Sequence, residues 1–315
     1  MTTTLQLIFG FLSGFGLFLY GIYLMGETLQ EMAGEQLKKW LERYTDTPYK
    51  GLLVGTILTA VIHSSSGTTA LTISLVRANL MSFASSIGII LGANIGTTFT
   101  AFLTGLNLSP FAPIFISVCA LIIFVSANEN IKNIAKVLFG FGLIFFGMDL
   151  IDQSLSHISD SVRFKSLLFS FTDRPYLSLF IGTILTAIIQ SSTLAIGILQ
   201  TVYASGLIDL RSALPLIFGS NIGTTISLEI FAVSGSVEAK RTALFQILYN
   251  VFGALFFMIL IGPFEHLLKW MISILHLSPK LSIAMAHILF NILSAVIVIG
   301  FTKEIETLIK RLVKR

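Results

Sequence analysis

The sequence predicts an all-α integral membrane protein: two inverted-topology repeats holding about seven spanning helices and two re-entrant helical hairpins. Three observations predict it. Hydrophobic residues make up 54% of the 315 and charged residues only 11%, whereas a soluble domain carries about 25% charged residues. Apolar runs long enough, or nearly so, to cross a hydrocarbon core of ~30 Å recur along the chain. Finally, the chain contains itself twice. GTILTA stands at 55–60 and 182–187, and NIGTT at 94–98 and 221–225, both offset by 127 residues. Between them His63-Ser-Ser-Ser66 answers Gln190-Ser-Ser-Thr193, and upstream Gly16–Gly21 parallels Gly142–Gly147. Such duplication is the common plan of secondary transporters. It divides the chain into 1–128, 129–301 and a basic tail, 302–315.

The first run, 5–28, follows MTTTLQLIFG, which lacks a basic n-region and a clear cleavage site. It is therefore expected to be a retained helix, not a signal peptide. Over 29–44, Leu29, Met32, Leu37, Trp40, Leu41 and Tyr44 fall at helical spacing beside Glu31, Glu35, Lys38, Lys39, Glu42 and Arg43. That pattern fits a separate amphipathic helix on the membrane surface. Ile305, Leu308, Ile309, Leu312 and Val313 repeat it in the tail.

Residues 51–77 interrupt two apolar arms with a polar HSSSGTT stretch, and 176–204 do the same around QSST. Each could be one span with a polar centre. However, each arm has only about a dozen residues and reaches ~20 Å, short of a crossing. A backbone break at mid-membrane also needs partners that lipid cannot supply. Two hairpins whose tips meet near the midplane satisfy both constraints. The remaining runs, 83–104, 110–127, 134–154, 210–232, 242–261 and 281–301, are read as spans. Small glycines in the first and fourth spans suit close helix packing.

The first repeat holds three of the seven spans, an odd number, which inverts the second repeat relative to it. Of the 20 Lys and Arg residues, 14 then fall on one side and 6 on the other. The positive-inside rule places the C-terminus in the cytoplasm and the N-terminus outside. Counting both hairpins as full spans gives the same split, so charge does not choose between them. The tail Lys310–Arg315 suits a membrane surface better than nucleic acid. The single cysteine, Cys119, excludes a disulfide within the chain and argues against a cysteine-built metal site.

The polar groups inside the membrane are nearly all neutral. They comprise the hydroxyls of Ser64, Ser65, Ser66, Thr68, Thr69, Ser191, Ser192 and Thr193 and the carboxamides of Gln190, Asn94 and Asn221. Thr97, Thr98, Thr224 and Thr225 follow the asparagines. Neutral donors at a half-helix N-terminus suit an oxyanion. Clustered hydroxyls and carbonyls also suit a hard cation such as sodium. No Lys or Arg falls at mid-membrane, so a multiply charged anion needs co-bound cations, which points to cation-coupled symport. His63 is read as a neutral hydrogen-bond donor, with a pH-sensing role as the alternative. Glu229 is read as snorkelling to the surface, with a cation site as the alternative. Asp149 is read as solvated. His287 and Asn291 are read as helix-packing groups.

The paired motifs His63–Ser66 with Gly92-Ala-Asn-Ile-Gly-Thr-Thr98, and Gln190–Thr193 with Gly219-Ser-Asn-Ile-Gly-Thr-Thr225, resemble the type II sodium-dependent phosphate cotransporters. The resemblance runs from about 7 to 301. It implies sodium-driven transport of inorganic phosphate by alternating access, between the hairpin tips and unwound NIGTT segments. It further implies phosphate at Ser64, Ser65, Ser66, Ser191, Ser192 and Thr193, and Asn94 and Asn221 are also expected to bind phosphate. Sodium falls to Gln190, Thr224 and Thr225, and also to Thr97, Thr98, Thr69 and His63. No cofactor beyond Na+ as coupling ion, no transition metal and no nucleic acid is expected. The partners are phosphate, sodium and the lipid of a bacterial inner membrane; homodimerisation stays open.

Two departures stand out. His63 replaces the family's glutamine. Residues 99–110 lack the acidic residue of electrogenic members, which favours fewer sodium ions or electroneutral transport. With so short a tail, the soluble regulatory domain that some bacterial relatives carry is not expected. Competing readings are another oxyanion, proton coupling, a channel, or an intramembrane serine hydrolase with His63 as base. The last is weakened because the second repeat keeps the serines without the histidine.

Overall fold

The computed structural model describes residues 2–43, 45, 47–77, 80–106, 108–159, 174–233 and 236–314. Among them the regular elements are helices alone. Five are long and apolar enough to cross a membrane: Leu5–Met32, Phe83–Gly105, Glu129–Ser154, Val237–Ile259 and Pro279–Ile299.

Helix α1 (Thr2–Arg43) continues through the stretch expected to form a separate surface helix. At 1.5 Å per residue it is roughly 60 Å long, about twice the hydrocarbon thickness, so its polar end emerges without a break. It packs antiparallel against α6 (Glu129–Ser159), with Gly21 and Gly147, but not Gly16 or Gly142, of the expected glycines in the contact. A Cβ on Gly14 would sit 2.6 Å from the Gly147 carbonyl oxygen, and one on Gly21 2.6 Å from that of Gly140. Only glycine lets the two backbones approach this far.

The polar breaks are true breaks. Helix α2 (Pro48–Ile62) ends at His63 and α3 (Ser65–Arg77) begins two residues later. The Thr59 hydroxyl donates to the Thr68 hydroxyl at 2.9 Å. In one continuous helix those residues would lie ~13 Å apart, so the arms fold back on each other. Helices α7 (Pro175–Ile189) and α8 (Ser192–Ala204) flank the second break at Gln190. No arm exceeds 15 residues, about 22 Å.

Each hairpin packs on a long helix carrying NIGTT: α2 on α4 (Phe83–Gly105), and α7 on α9 (Leu210–Val233). The repeated motifs make these contacts. A Cβ on Gly92 would lie 2.1 Å from the Leu52 carbonyl oxygen, and one on Gly219 2.1 Å from that of Leu179. Gly96 and Gly223 meet Thr56 and Thr183 in the same way. The structure corrects one expectation here: both NIGTT stretches are helical, not unwound. Their threonines close back on the helix. Thr97 donates to the Ala93 carbonyl at 3.0 Å and Thr98 to that of Ile95 at 2.6 Å. Thr224 donates to Asn221 at 2.7 Å and Thr225 to Ile222 at 2.8 Å. Hydroxyls satisfied within the turn remove the need for an open backbone.

Other boundaries differ from the sequence reading. The run 110–127 folds as a 3-10 turn, Ser109–Phe111, and α5 (Ala112–Val125), only 14 residues long. Helix α10 (Val237–Ile259) is followed at once by α11 (Ile261–Leu275), which was not expected. Pro263 lies in the first turn of α11, where its missing N–H costs little. Buried Glu265 ties α11 to α9 through Arg211 at 3.3 Å and also pairs with Lys269 at 2.7 Å. Helix α12 (Pro279–Ile299) completes the core, in which Phe218, Phe257, Phe264 and Phe290 interlock with ring centroids 4.8–6.1 Å apart. The amphipathic tail forms α13 (Thr302–Leu312). It docks on the protein, burying Ile309 beside Phe83 and Tyr249, and Arg241 donates to the Val313 carbonyl at 2.9 and 3.1 Å.

Candidate functional site

The two breaks are built alike. His63 ends α2 with φ 57° and ψ 25°, and Gln190 ends α7 with φ 57° and ψ 22°. Both are in the left-handed region that non-glycine residues rarely enter, and both donate their N–H to the carbonyl four residues back, Thr59 and Thr186. The next serine caps the following helix. Ser64 Oγ accepts from Gly67 N–H at 3.0 Å, and Ser191 Oγ from Leu194 N–H at 3.3 Å. Capping uses each hydroxyl as an acceptor and leaves its O–H free to donate.

Both tips line one cavity of about 350 Å³. His63, Ser64, Ser65 and Ser66 come from the first tip, and Gln190, Ser191, Ser192 and Thr193 from the second; Thr224 of α9 joins them. Helices α3 and α8 thus start at the cavity, with the unpaired N–H groups and positive dipole ends of their first turns there. His63 is buried, with Nδ1 2.7 Å from the Thr100 hydroxyl and its ring 6.3 Å from Phe99. A larger cavity, about 420 Å³, lies between α1, α7, α8 and α9; it is almost wholly apolar and offers little to orient an ion.

The remaining expected residues do not line the polar cavity. Asn221 is held by α12: its Nδ2 donates to Asn291 Oδ1 at 2.7 Å, and His287 Nε2 lies 3.1 Å from its Oδ1. His287 and Asn291 are thus packing groups, as read from sequence. Asn94 donates to the Ile90 carbonyl at 2.9 Å. Thr97, Thr98 and Thr225 close on their own helices, and Thr69 is fully buried on α3. Asp149 accepts from Gln153 at 2.9 Å on α6. The Glu229 side chain lies outside the described residues.

Sequence reasoning missed the third wall. Tyr23, Glu27 and Gln30 of α1 line the cavity, and Tyr23 donates its hydroxyl to Glu27 Oε1 at 2.8 Å. The signal was present: positions i, i+4 and i+7 share a helix face, but the first two fall inside a run taken as plain lipid-spanning helix.

The model of the family described as Na+/Pi-cotransporter matches the chain twice, over residues 17–153 and 152–285. The chain is 31% identical to "Uncharacterized protein YqeW" of Bacillus subtilis, over 94% of this chain and 95% of that one. It is 26% identical to "Putative inorganic phosphate export protein YjbB" of Escherichia coli over 96% of its own length, but spans only 55% of that relative. A shorter match, 41% identical over 19% of the chain and 9% of the relative, is to "Sodium-dependent phosphate transport protein 2A" of Oryctolagus cuniculus. No solved structure matches.

Proposed function

The chain belongs to the Na+/Pi-cotransporter family, and from that premise we propose that it carries inorganic phosphate across the membrane together with sodium, by alternating access. One observation carries the reading: two serine-rich tips, 127 residues apart in sequence, line a single polar cavity. Ser64, Ser65, Ser66, Ser191, Ser192 and Thr193 are the phosphate donors. Gln190 and Thr224 serve sodium. Asn94, Asn221, Thr97, Thr98 and Thr225 hold the walls in shape, each bonded within or between helices.

The chemistry supports this division. Hydroxyls and helix N-termini stabilise an oxyanion without a fixed positive charge. A dianion held that way in a low-dielectric site is costly unless cations enter with it. The repeats, 1–128 and 129–301, are the two bodies that rock about the site, with 302–315 on the cytoplasmic side and the N-terminus outside the inner membrane. The name of the E. coli relative favours a second reading in which the same site runs outward, as phosphate export.

The test is radiolabelled phosphate flux in proteoliposomes, with a sodium gradient directed in either sense. Saturable flux that follows sodium and is lost in Ser65→Ala and Ser192→Ala supports the symporter. Flux that follows pH but not sodium makes protons the coupling ion. No phosphate flux under any gradient removes the substrate assignment.

A further inference from the structure

We propose that Glu27 is a sodium-binding residue, holding the ion between its carboxylate and the tip of the first hairpin. The proposal rests on the symport reading above. Among the described residues lining the polar cavity Glu27 is the single carboxylate; the other polar ones are hydroxyls, carboxamides and His63.

Its position is fixed by packing. The preceding residue, Gly26, lies against the tip itself: a Cβ there would sit 2.8 Å from the Ile62 carbonyl oxygen. Ile62 is the last residue of α2, so the negative end of that helix, with its unreceived carbonyls, is next to α1. The carboxylate is oriented as well. Tyr23 donates to Oε1 at 2.8 Å, leaving Oε2 to a ligand. Gln30 supplies a carboxamide one turn further along, and the tip serines supply hydroxyls, in the same cavity. Carboxylate, carbonyl and hydroxyl oxygens are the donor set of a hard cation.

Glu27 is exposed at the cavity, where an entering cation can reach it. A bare carboxylate in the cavity opposes the oxyanion that the serines are built to hold. A sodium ion between them removes that opposition, so each ligand raises the other's affinity by the same factor. The cavity then has a cation end at α1 and the α2 C-terminus, and an anion end at the starts of α3 and α8. The second repeat lacks the feature. At the matching offset of 126 residues stands Gln153, bonded to Asp149 and absent from the cavity.

The experiment is sodium binding to the purified full chain in detergent, without phosphate. It is read by thermal stabilisation against a choline series at constant ionic strength, beside sodium-driven phosphate uptake. Glu27→Gln should raise the half-saturating sodium concentration by about tenfold or more. Phosphate half-saturation at saturating sodium should move far less. Glu27→Asp, which keeps the charge, should lie between, and Tyr23→Phe should shift sodium binding without removing it. Should Glu27→Gln fail to fold, Glu27→Asp against Tyr23→Phe decides.

Unchanged sodium binding in these variants, with parental uptake still sodium-dependent, overturns the proposal and leaves the symporter standing. A parent that neither binds sodium nor uses it removes the symport reading first, and the proposal with it. A variant whose uptake changes its pH dependence but not its sodium dependence makes Glu27 a proton site and also overturns the proposal.

Discussion

His63 and Gln190 share one backbone conformation, φ 57° with ψ 25° and φ 57° with ψ 22°, at the ends of two helices 127 residues apart. Left-handed backbone costs an L-residue about 1–2 kcal/mol, and it is repeated because it turns the chain from one arm of a hairpin into the other. Substitution by a β-branched residue should be strongly disfavoured there. His63→Ile and Gln190→Ile are each expected to lower stability by about 2 kcal/mol, whereas glycine at either position keeps the turn. Thermal unfolding of the purified protein checks this. Equal losses at the two positions would support a common architecture; a loss at one alone would speak against it.

The helix pairs that carry the hairpins depend on glycine. A Cβ on Gly92 or Gly219 would stand 2.1 Å from a carbonyl oxygen, and backbone cannot retreat as a side chain can. Gly92→Ala and Gly219→Ala should each cost about 3 kcal/mol. Gly16→Ala is the contrast: nothing lies within 4 Å of a Cβ there, and alanine in mid-helix gains up to about 1 kcal/mol over glycine. Unfolding midpoints and the yield of monodisperse protein read both effects.

Much of this was legible in the sequence, for physical reasons. The helix breaks at His63 and Gln190 were, because a polar stretch between two short apolar arms leaves few alternatives. The glycine contacts of α1 with α6 were, because repeated small residues in a lipid-facing run have little other use. The NIGTT stretches were misjudged. Threonine next to glycine reads the same whether the backbone is open or the hydroxyl bonds back three or four residues, and only geometry separates the two. Helix α11 was missed because a Gly-Pro pair marks a break as readily as a helix start. The anchoring of Asn221 was beyond the sequence, since its partners His287 and Asn291 lie 66 and 70 residues away. Glu27 was within reach but hidden inside a run that composition alone assigned to lipid.

Ser64 and Ser191 have two duties that substitution can separate. Each caps a helix, and each lines the cavity. Alanine removes the cap and the hydroxyl, at a cost of about 1 kcal/mol in stability; glycine loses the hydroxyl but only a few tenths of that stability. Phosphate affinity should fall in both variants, while the unfolding midpoint falls clearly only with alanine. Parental affinity in Ser64→Gly and Ser191→Gly would confine these serines to capping.

Asn221 tests whether a motif asparagine binds ligand or holds the wall. Its Oδ1 accepts from His287 Nε2, so that nitrogen carries the proton, and its Nδ2 donates to Asn291 Oδ1. All three residues are buried. Asn291→Ala leaves the Asn221 N–H without its acceptor and should cost about 1–3 kcal/mol. Asn221→Ala removes both bonds and should cost at least as much. The double variant should lose less than the sum, with a coupling of about 0.5–3 kcal/mol, since the two share one contact. Phosphate half-saturation should stay near the parental value in Asn291→Ala, measured well below its unfolding temperature. A sharp weakening of phosphate binding in Asn221→Ala without loss of stability would instead bring this asparagine to the cavity, and would require α9 to turn away from α12 during transport.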